Sequence, residues 1–183
     1  DPFAGSGTTL LAAAQESIEC YGFESHPFVG RIANAKLAWN TPIKDIHAYA
    51  ELVIRKAETM FFDISKEPPL LLKCYTEDAL RTLCALRESF SASKEDIPSG
   101  VRELIWLAIT AILRTCSHAG TAQWQYVHPA KKKAHVVVPL EAFREKGNEI
   151  IRDMELFQQA DVAANSHLIH HDARERYESL DDL

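Results

Sequence analysis

The first seven residues, Asp1-Pro2-Phe3-Ala4-Gly5-Ser6-Gly7, place an acid and two glycines at the spacing of a ligand-binding turn. Only glycine readily adopts the left-handed backbone angles of such a turn, and its missing Cβ lets a ligand approach the main chain. Glu24 follows Gly7 by 17 residues. This is close to the interval of about 20 between the glycine turn and the ribose-binding acid of nucleotide-binding βαβ units. The pattern predicts a site for a ligand that contains a ribose.

The residues after the turn restrict the kind of ligand. Thr8 and Thr9 stand where a phosphate-binding loop needs lysine, which argues against a nucleoside triphosphate site. Leu10 replaces the third glycine of the dinucleotide fingerprint, which weakens that interpretation too. A ligand with a ribose and no phosphate fits these departures better, and S-adenosylmethionine is such a ligand.

The elements that must position this turn are predicted at both ends of the chain. Thr8–Gln15 is rich in Leu and Ala and predicts a helix directly behind the turn. The short aromatic segment Cys20–Glu24 predicts a strand, and Pro27 suits the first turn of the helix that follows. Near the other end, Ser166–His171 is a further strand candidate that runs into Asp172.

The segment between these ends is predicted to be mainly helical. Apolar residues repeat at alternating steps of three and four along Ile43–Met60 and again along Leu140–Phe157, which indicates two long helices with narrow apolar stripes. Thr76 is a candidate N-cap. Leu104–Leu113 is too short for a membrane span, which needs about 20 apolar residues, and predicts a buried core helix. Val136–Val138 is a short strand candidate.

Composition excludes several classes of protein. The chain has 183 residues, of which 46% are hydrophobic and 25% charged, so a disordered, collagenous or disulfide-scaffold protein is not expected. A net charge of -6 gives no global attraction for nucleic acid, so such binding needs a local patch. The four cysteines form no close pair, which disfavours a zinc or disulfide framework and favours a reduced, cytoplasmic setting without a membrane.

Three segments carry a family resemblance. Asp1–Thr9 resembles the cofactor motif of S-adenosylmethionine-dependent DNA methyltransferases that modify exocyclic amino groups. Tyr21–Glu24 resembles the second strand of that family with its ribose-binding acid, and His171–Arg174 resembles the third-strand motif, whose acid lies near the adenine of the cofactor. The resemblance covers about Asp1 to Trp39 and Asn165 to Leu183, and it does not extend to the middle of the chain.

The resemblance implies a role for each matching residue. The turn would lie under the methionine part of the cofactor, and Asp1 would help to hold its ammonium group. Glu24 would accept the ribose hydroxyls, and Asp172 would accept a hydrogen bond from the adenine amino group. The other loop residues that the resemblance places at the cofactor are Phe3, Ala4, Gly5, Ser6, Gly7 and Thr8.

The catalytic signature of that family is missing. Amino-group methyltransferases need an acid, amide or serine followed by Pro-Pro and an aromatic residue, which stacks on the flipped base. The chain's Pro-Pro, Pro68-Pro69, is flanked by Glu67 and Leu70 and does not match. We therefore expect a piece of a longer protein that holds no catalytic residue and does not methylate alone. No cysteine follows a proline, which argues against cytosine carbon-5 chemistry.

One stretch combines aromatic and basic residues. Trp124, Tyr126 and Lys131–Lys133 lie in a segment without carboxylates, although the chain is acidic overall. Lysine contacts phosphate and aromatic rings stack on unpaired bases, so these residues are the candidate DNA contacts. A solvated loop with a core tryptophan remains the alternative. No metal site is predicted, since His167 and His171 share one face of a strand while His170 points the other way.

The predicted fold is α/β, a partial Rossmann-like methyltransferase core with a large, mainly α-helical insertion. Residues 1–40 and 161–183 would form the core, and 41–160 the insertion, a possible DNA-recognition module. The predicted reaction transfers a methyl group from S-adenosylmethionine to adenine N6 or cytosine N4. Two alternatives stay open: an RNA guanine-N2 methyltransferase, which carries a similar turn, and a non-catalytic helical interaction module that uses the two apolar stripes.

Overall fold

A computed structural model describes residues 1–93, 97–121, 127–160 and 165–175 of the chain. Within those ranges the protein has mixed α/β structure. The helices are α1 (Thr8–Gln15), α2 (Pro27–Leu37), α3 (Ile43–Thr59), α4 (Pro69–Cys74), α5 (Glu77–Ser91), α6 (Ser99–Cys116) and α7 (Pro139–Gln159), with a 3₁₀ helix at Ala38–Asn40. The strands are β1 (Cys20–Phe23), β2 (Ala119–Thr121), β3 (Val127–Lys132) and β4 (Ser166–Ile169).

The two predicted terminal strands pair with each other. β1 and β4 are parallel, with Phe23 opposite Ile169. The main chain of residues 1–4 lies along the other edge of β1, where the Phe23 N–H donates to Asp1 O at 2.9 Å and the Ala4 N–H donates to Phe23 O at 2.8 Å. Three segments therefore lie side by side in the order 1–4, β1, β4, and helices α3 to α7 lie between the two strands in sequence.

A glycine in β1 lets the turn and α1 sit directly on the strand. A Cβ added at Gly22 would lie 2.8 Å from the Ala4 Cβ and 3.1 Å from a Leu10 methyl carbon. Ala4 and Leu10 are both buried at this contact. Any larger residue at position 22 would therefore push the turn away from β1.

Helices α3, α5, α6 and α7 share one hydrophobic core. Both predicted apolar stripes face it. Their buried residues include Ile46, Val53 and Ala57 of α3, and Phe143 and Met154 of α7. Ile150 and Phe157 of the second stripe are partly exposed and border a cleft. Much of both stripes is therefore used for packing within the chain.

Helix α6 is the predicted core helix. Leu104, Ile105, Ala108 and Ile112 are each at most 3% exposed, whereas Leu113 at 39% shows that one side reaches solvent. Within the described residues, no helix combines the length and apolar character that a bilayer crossing requires.

Helix α2, which borders the glycine turn, is fixed against α6 by charged and aromatic contacts. Arg31 Nε lies 2.7 Å from Glu103 Oε2. The same guanidinium lies over the Trp106 ring at 4.0 Å, and Phe28 packs edge-on against that ring with the centroids 5.8 Å apart. These contacts hold the turn-bearing end of the chain against the helical part.

The predicted strand at Val136–Val138 is wrong. These residues precede Pro139, the first residue of α7, and proline restricts the residue before it to extended conformations. Val138 is 55% exposed, and no described strand pairs with this run. The strand of this region is β3, which pairs antiparallel with β2.

Candidate functional site

The glycine turn lies at the carboxyl ends of the parallel segments. It leaves the segment 1–4 beside the last residue of β1 and leads into α1, as predicted. Ligands of open α/β sheets bind in the crevice outside the carboxyl ends of the strands. Residues 1–4 and β4 lie on opposite edges of β1, so that the turn and the ends of both strands are close together.

The two glycines hold the turn in a conformation that other residues adopt only with strain. Gly5 has φ +54° and Gly7 has φ +81°, both in the left-handed region. The Gly7 N–H donates to Ala4 O at 2.9 Å, and Gly7 O accepts from the Leu11 N–H at 3.0 Å. A Cβ added at Gly7 would lie 3.0 Å from the Ala33 Cβ of α2, so this glycine also permits close packing of the helix.

Glu24, the predicted ribose-binding acid, lies directly against the turn. Its Oε2 accepts a hydrogen bond from the Gly5 N–H at 3.0 Å, and its Oε1 accepts one from the His26 N–H at 2.7 Å. The side chain is half-buried at the end of β1. An ionised carboxylate has about four acceptor positions. The two internal bonds therefore fix the orientation of Glu24 and leave acceptor capacity for hydroxyl groups of a ligand.

The remaining turn residues have different environments. Asp1 Oδ1 accepts from the Phe3 N–H at 2.9 Å, and both residues are exposed, Phe3 to 78%. Thr8 is exposed at the first position of α1. Ala4 is buried against β1, so its side chain supports the turn. Ser6 is half-buried and is contacted by a lysine.

Asp172 lies at the same edge of the sheet, three residues after β4 ends, but its carboxylate is engaged elsewhere. Oδ1 accepts from the Arg174 main-chain N–H at 3.0 Å and from Arg174 Nε at 2.9 Å. These hydrogen bonds from Arg174 hold the pKa of Asp172 at about 2, well below its usual range. No hydrogen bond within the described residues joins Asp172 to the turn. A role at the adenine would require Asp172 to share its carboxylate with Arg174.

The histidines beside β4 divide between the two faces of the sheet as expected. His167 stacks on Tyr21 with ring centroids 4.7 Å apart, and His171 lies 6.1 Å from Phe23. His170 lies on the other face near Gly30 of α2. The residues that the structure describes contain no cluster of three or more His, Cys, Asp or Glu side chains that could hold a metal ion.

The cysteines of the helical part are free thiols inside the protein. Cys74, Cys84 and Cys116 are buried, and burial raises the pKa of Cys84 and of Cys116 to about 11. Thiols with such pKa values stay protonated at neutral pH and are poor nucleophiles.

The predicted DNA contacts separate into three groups. Lys131 and Lys132 are exposed on β3. Lys133 has a different environment, because its ammonium donates to Arg114 O at the end of α6 and its main-chain N–H donates to His118 O at 2.8 Å. Lysine commonly satisfies free carbonyls at a helix C-terminus. Trp124 and Tyr126 lie outside the described residues.

Lys36 is a residue of this site that the sequence did not single out. It lies in the last turn of α2, and its Nζ is 3.2 Å from Ser6 Oγ in the glycine turn. No motif separates Lys36 from the other lysines of the chain. Only the packing of α2 against Gly7 brings it to the turn.

Comparisons of the chain with protein-family models, with curated proteins and with solved structures found no match.

Proposed function

We propose that the chain contains the cofactor-binding part of an S-adenosylmethionine-dependent methyltransferase that modifies adenine N6 or cytosine N4 in DNA. The observation that carries the proposal is the 3.0 Å hydrogen bond from the Gly5 N–H to the Glu24 carboxylate. It joins two residues 19 positions apart that the resemblance assigns to opposite ends of one cofactor. The position of the turn close to the ends of β1 and β4 adds support for a Rossmann-like core formed by 1–40 and 161–183.

In this proposal the chain's own residues bind and orient the cofactor. Glu24 accepts the ribose hydroxyls with the acceptor positions that Gly5 and His26 leave free. The main chain of the turn would face the methionine part, and Asp1 would help to hold the ammonium group. The bound cofactor supplies a methyl group activated by its sulfonium. No residue of this chain is assigned to polarise the target amine, because the Pro-Pro-aromatic signature is absent.

Thermal unfolding with two ligands tests the choice of cofactor. S-adenosylhomocysteine at about 100 times its Kd should raise Tm by roughly 5–10 °C, because a ligand that binds only the folded state stabilises it. NAD, which carries a pyrophosphate, should have no effect at the same concentration. Stabilisation by NAD and none by S-adenosylhomocysteine would replace the proposal with a dinucleotide site.

The segment 41–160 would then be the part that meets DNA. From residue 104 to residue 140 the chain has four Lys or Arg and no Asp or Glu, in a protein of net charge -6. The β2–β3 hairpin in this segment is anchored to α6 through Arg114, whose Nη1 donates to Ala119 O at 2.6 Å. The exposed Lys131 and Lys132 are therefore held on a fixed element.

Neutralising Lys131 and Lys132 together should reduce the salt dependence of duplex binding. Each phosphate contact contributes about 0.9 to the slope of log K against log salt, so the slope should fall by roughly 1 to 2. Lys133→Ala should instead lower Tm, because it leaves the Arg114 carbonyl without its donor. Fluorescence anisotropy over a salt series measures the slope.

The double variant Lys44→Ala/Lys66→Ala is the matched control, because both lysines are exposed and lie outside the hairpin in the sequence. An unchanged slope in the hairpin variant, or an equal fall in the control, would place the DNA contacts elsewhere. Tighter binding of an RNA hairpin than of the DNA duplex would favour the RNA guanine-N2 alternative.

A further inference from the structure

Ser6 is the residue between the two left-handed glycines, and its hydroxyl is held by Lys36. The Lys36 Nζ reaches Ser6 Oγ at 3.2 Å across 30 positions of sequence, in a partly buried setting. The other contacts of the turn use main-chain donors, such as the Gly5 N–H to Glu24 and the Gly7 N–H to Ala4 O. Lys36 is therefore the side-chain link between α2 and the centre of the turn.

Lys36 is partly exposed, and the hydrogen bond of its ammonium goes to a hydroxyl and not to a carboxylate. Among the described residues, no carboxylate oxygen lies within 4.0 Å of the Lys36 ammonium, and its hydrogen-bond partner is a neutral hydroxyl. Lys36 also borders a cleft whose lining includes Leu11 and Trp39 as well as the acidic residues Glu149 and Asp153. The ammonium of Lys36 is thus directed towards the hydroxyl of the turn and not into an ion pair with either acid.

We propose that Lys36 is a positioning residue for the amino-acid end of the cofactor. It fixes Ser6, and with it the turn between Gly5 and Gly7, and it places positive charge behind the main chain that would face the carboxylate of an S-adenosyl amino acid. This inference rests on the proposed function. It differs from the role of Glu24, which acts at the ribose.

Two ligands separate these roles. S-adenosylhomocysteine carries the amino-acid end, whereas 5′-methylthioadenosine keeps the adenosine and the thioether and lacks that end. Lys36→Met, which keeps most of the aliphatic stem, should weaken binding of S-adenosylhomocysteine about five- to tenfold, the scale of one ordinary net hydrogen bond, because Lys36 acts through the turn. Its affinity for 5′-methylthioadenosine should change less than about twofold. Lys36→Arg, which keeps the charge and the donors, should restore most of the loss.

The chain offers a matched control in a second lysine–serine pair. Lys56 Nζ donates to Ser93 Oγ at 2.6 Å within the helical part. Lys56→Met removes the same kind of hydrogen bond and should lower Tm while leaving both affinities unchanged. Ser6→Ala should reproduce the part of the Lys36→Met effect that the hydrogen bond carries, and adding Ser6→Ala to Lys36→Met should cause little further loss, because both remove that one hydrogen bond.

Isothermal titration calorimetry of these variants decides the matter. Equal losses for both ligands in Lys36→Met, or no loss for either, would overturn the positioning role while the proposed function stands. If Lys56→Met lost as much affinity for S-adenosylhomocysteine as Lys36→Met, the effect of both changes would come from lower stability alone. A wild-type protein that binds neither ligand would remove the proposed function, and this inference with it.

Discussion

Replacing Gly7 by alanine should destabilise the protein and disrupt the turn. Gly7 has φ +81°, and an added Cβ would lie 3.0 Å from the Ala33 Cβ and 3.2 Å from its Cα. The left-handed conformation and the crowding together should lower the free energy of unfolding by about 2 to 4 kcal/mol. For a chain of this size that corresponds to a fall in Tm of roughly 5–15 °C by calorimetry. Affinity for S-adenosylhomocysteine should fall as well. A Cβ at position 7 would push the turn away from α2 and so displace Ser6 from Lys36.

Gly147 provides the control for this substitution. It lies inside α7, and a Cβ added there meets nothing within 4 Å. Gly147→Ala should stabilise the protein by about 0.5–1 kcal/mol, since alanine favours the helix. If both alanine variants were equally stable, the left-handed turn and its contact with Ala33 would not exist in solution.

Glu24→Ala should weaken binding of S-adenosylhomocysteine at least tenfold. A hydrogen bond to a charged group contributes roughly 1.5–3 kcal/mol, and Glu24 is proposed to make two such bonds to the ribose. The same change removes the acceptor of the Gly5 N–H and the acceptor of the His26 N–H, so the turn loses its support as well. Calorimetric titration at a temperature where the variant remains folded measures the loss.

Glu19→Ala is the control for charge, because Glu19 is exposed before the start of β1 and contacts Tyr21 and His167. The Glu19→Ala protein should bind S-adenosylhomocysteine with the affinity of the wild type. If the Glu24→Ala protein bound S-adenosylhomocysteine with unchanged affinity, Glu24 would be excluded from the ligand site.

The local structure of the chain could be predicted because short-range signals determine it. Thr76 caps α5 as predicted, with its Oγ1 accepting from the Ala79 N–H at 3.3 Å. Pro27 begins α2, and the glycine turn leads into α1. These features depend on the conformational preferences of a few neighbouring residues.

The contacts between distant segments could not be predicted in the same way. Nothing in the sequence distinguishes the three consecutive lysines Lys131–Lys133, yet only Lys133 lies beside the carbonyls at the end of α6. Lys36 reaches Ser6 because Gly7 admits Ala33 so closely. Both outcomes depend on how helices pack, which a periodic pattern does not specify.

Hydrogen–deuterium exchange with and without S-adenosylhomocysteine shows where the ligand lies as well as whether it binds. Saturating ligand should slow exchange in residues 3–11 and 22–28, which are the turn, the start of α1 and the segment around Glu24. Exchange in α3, α5 and α7 should change little. Unaltered exchange at saturating ligand, or protection confined to the helical part, would contradict a cofactor site at the glycine turn.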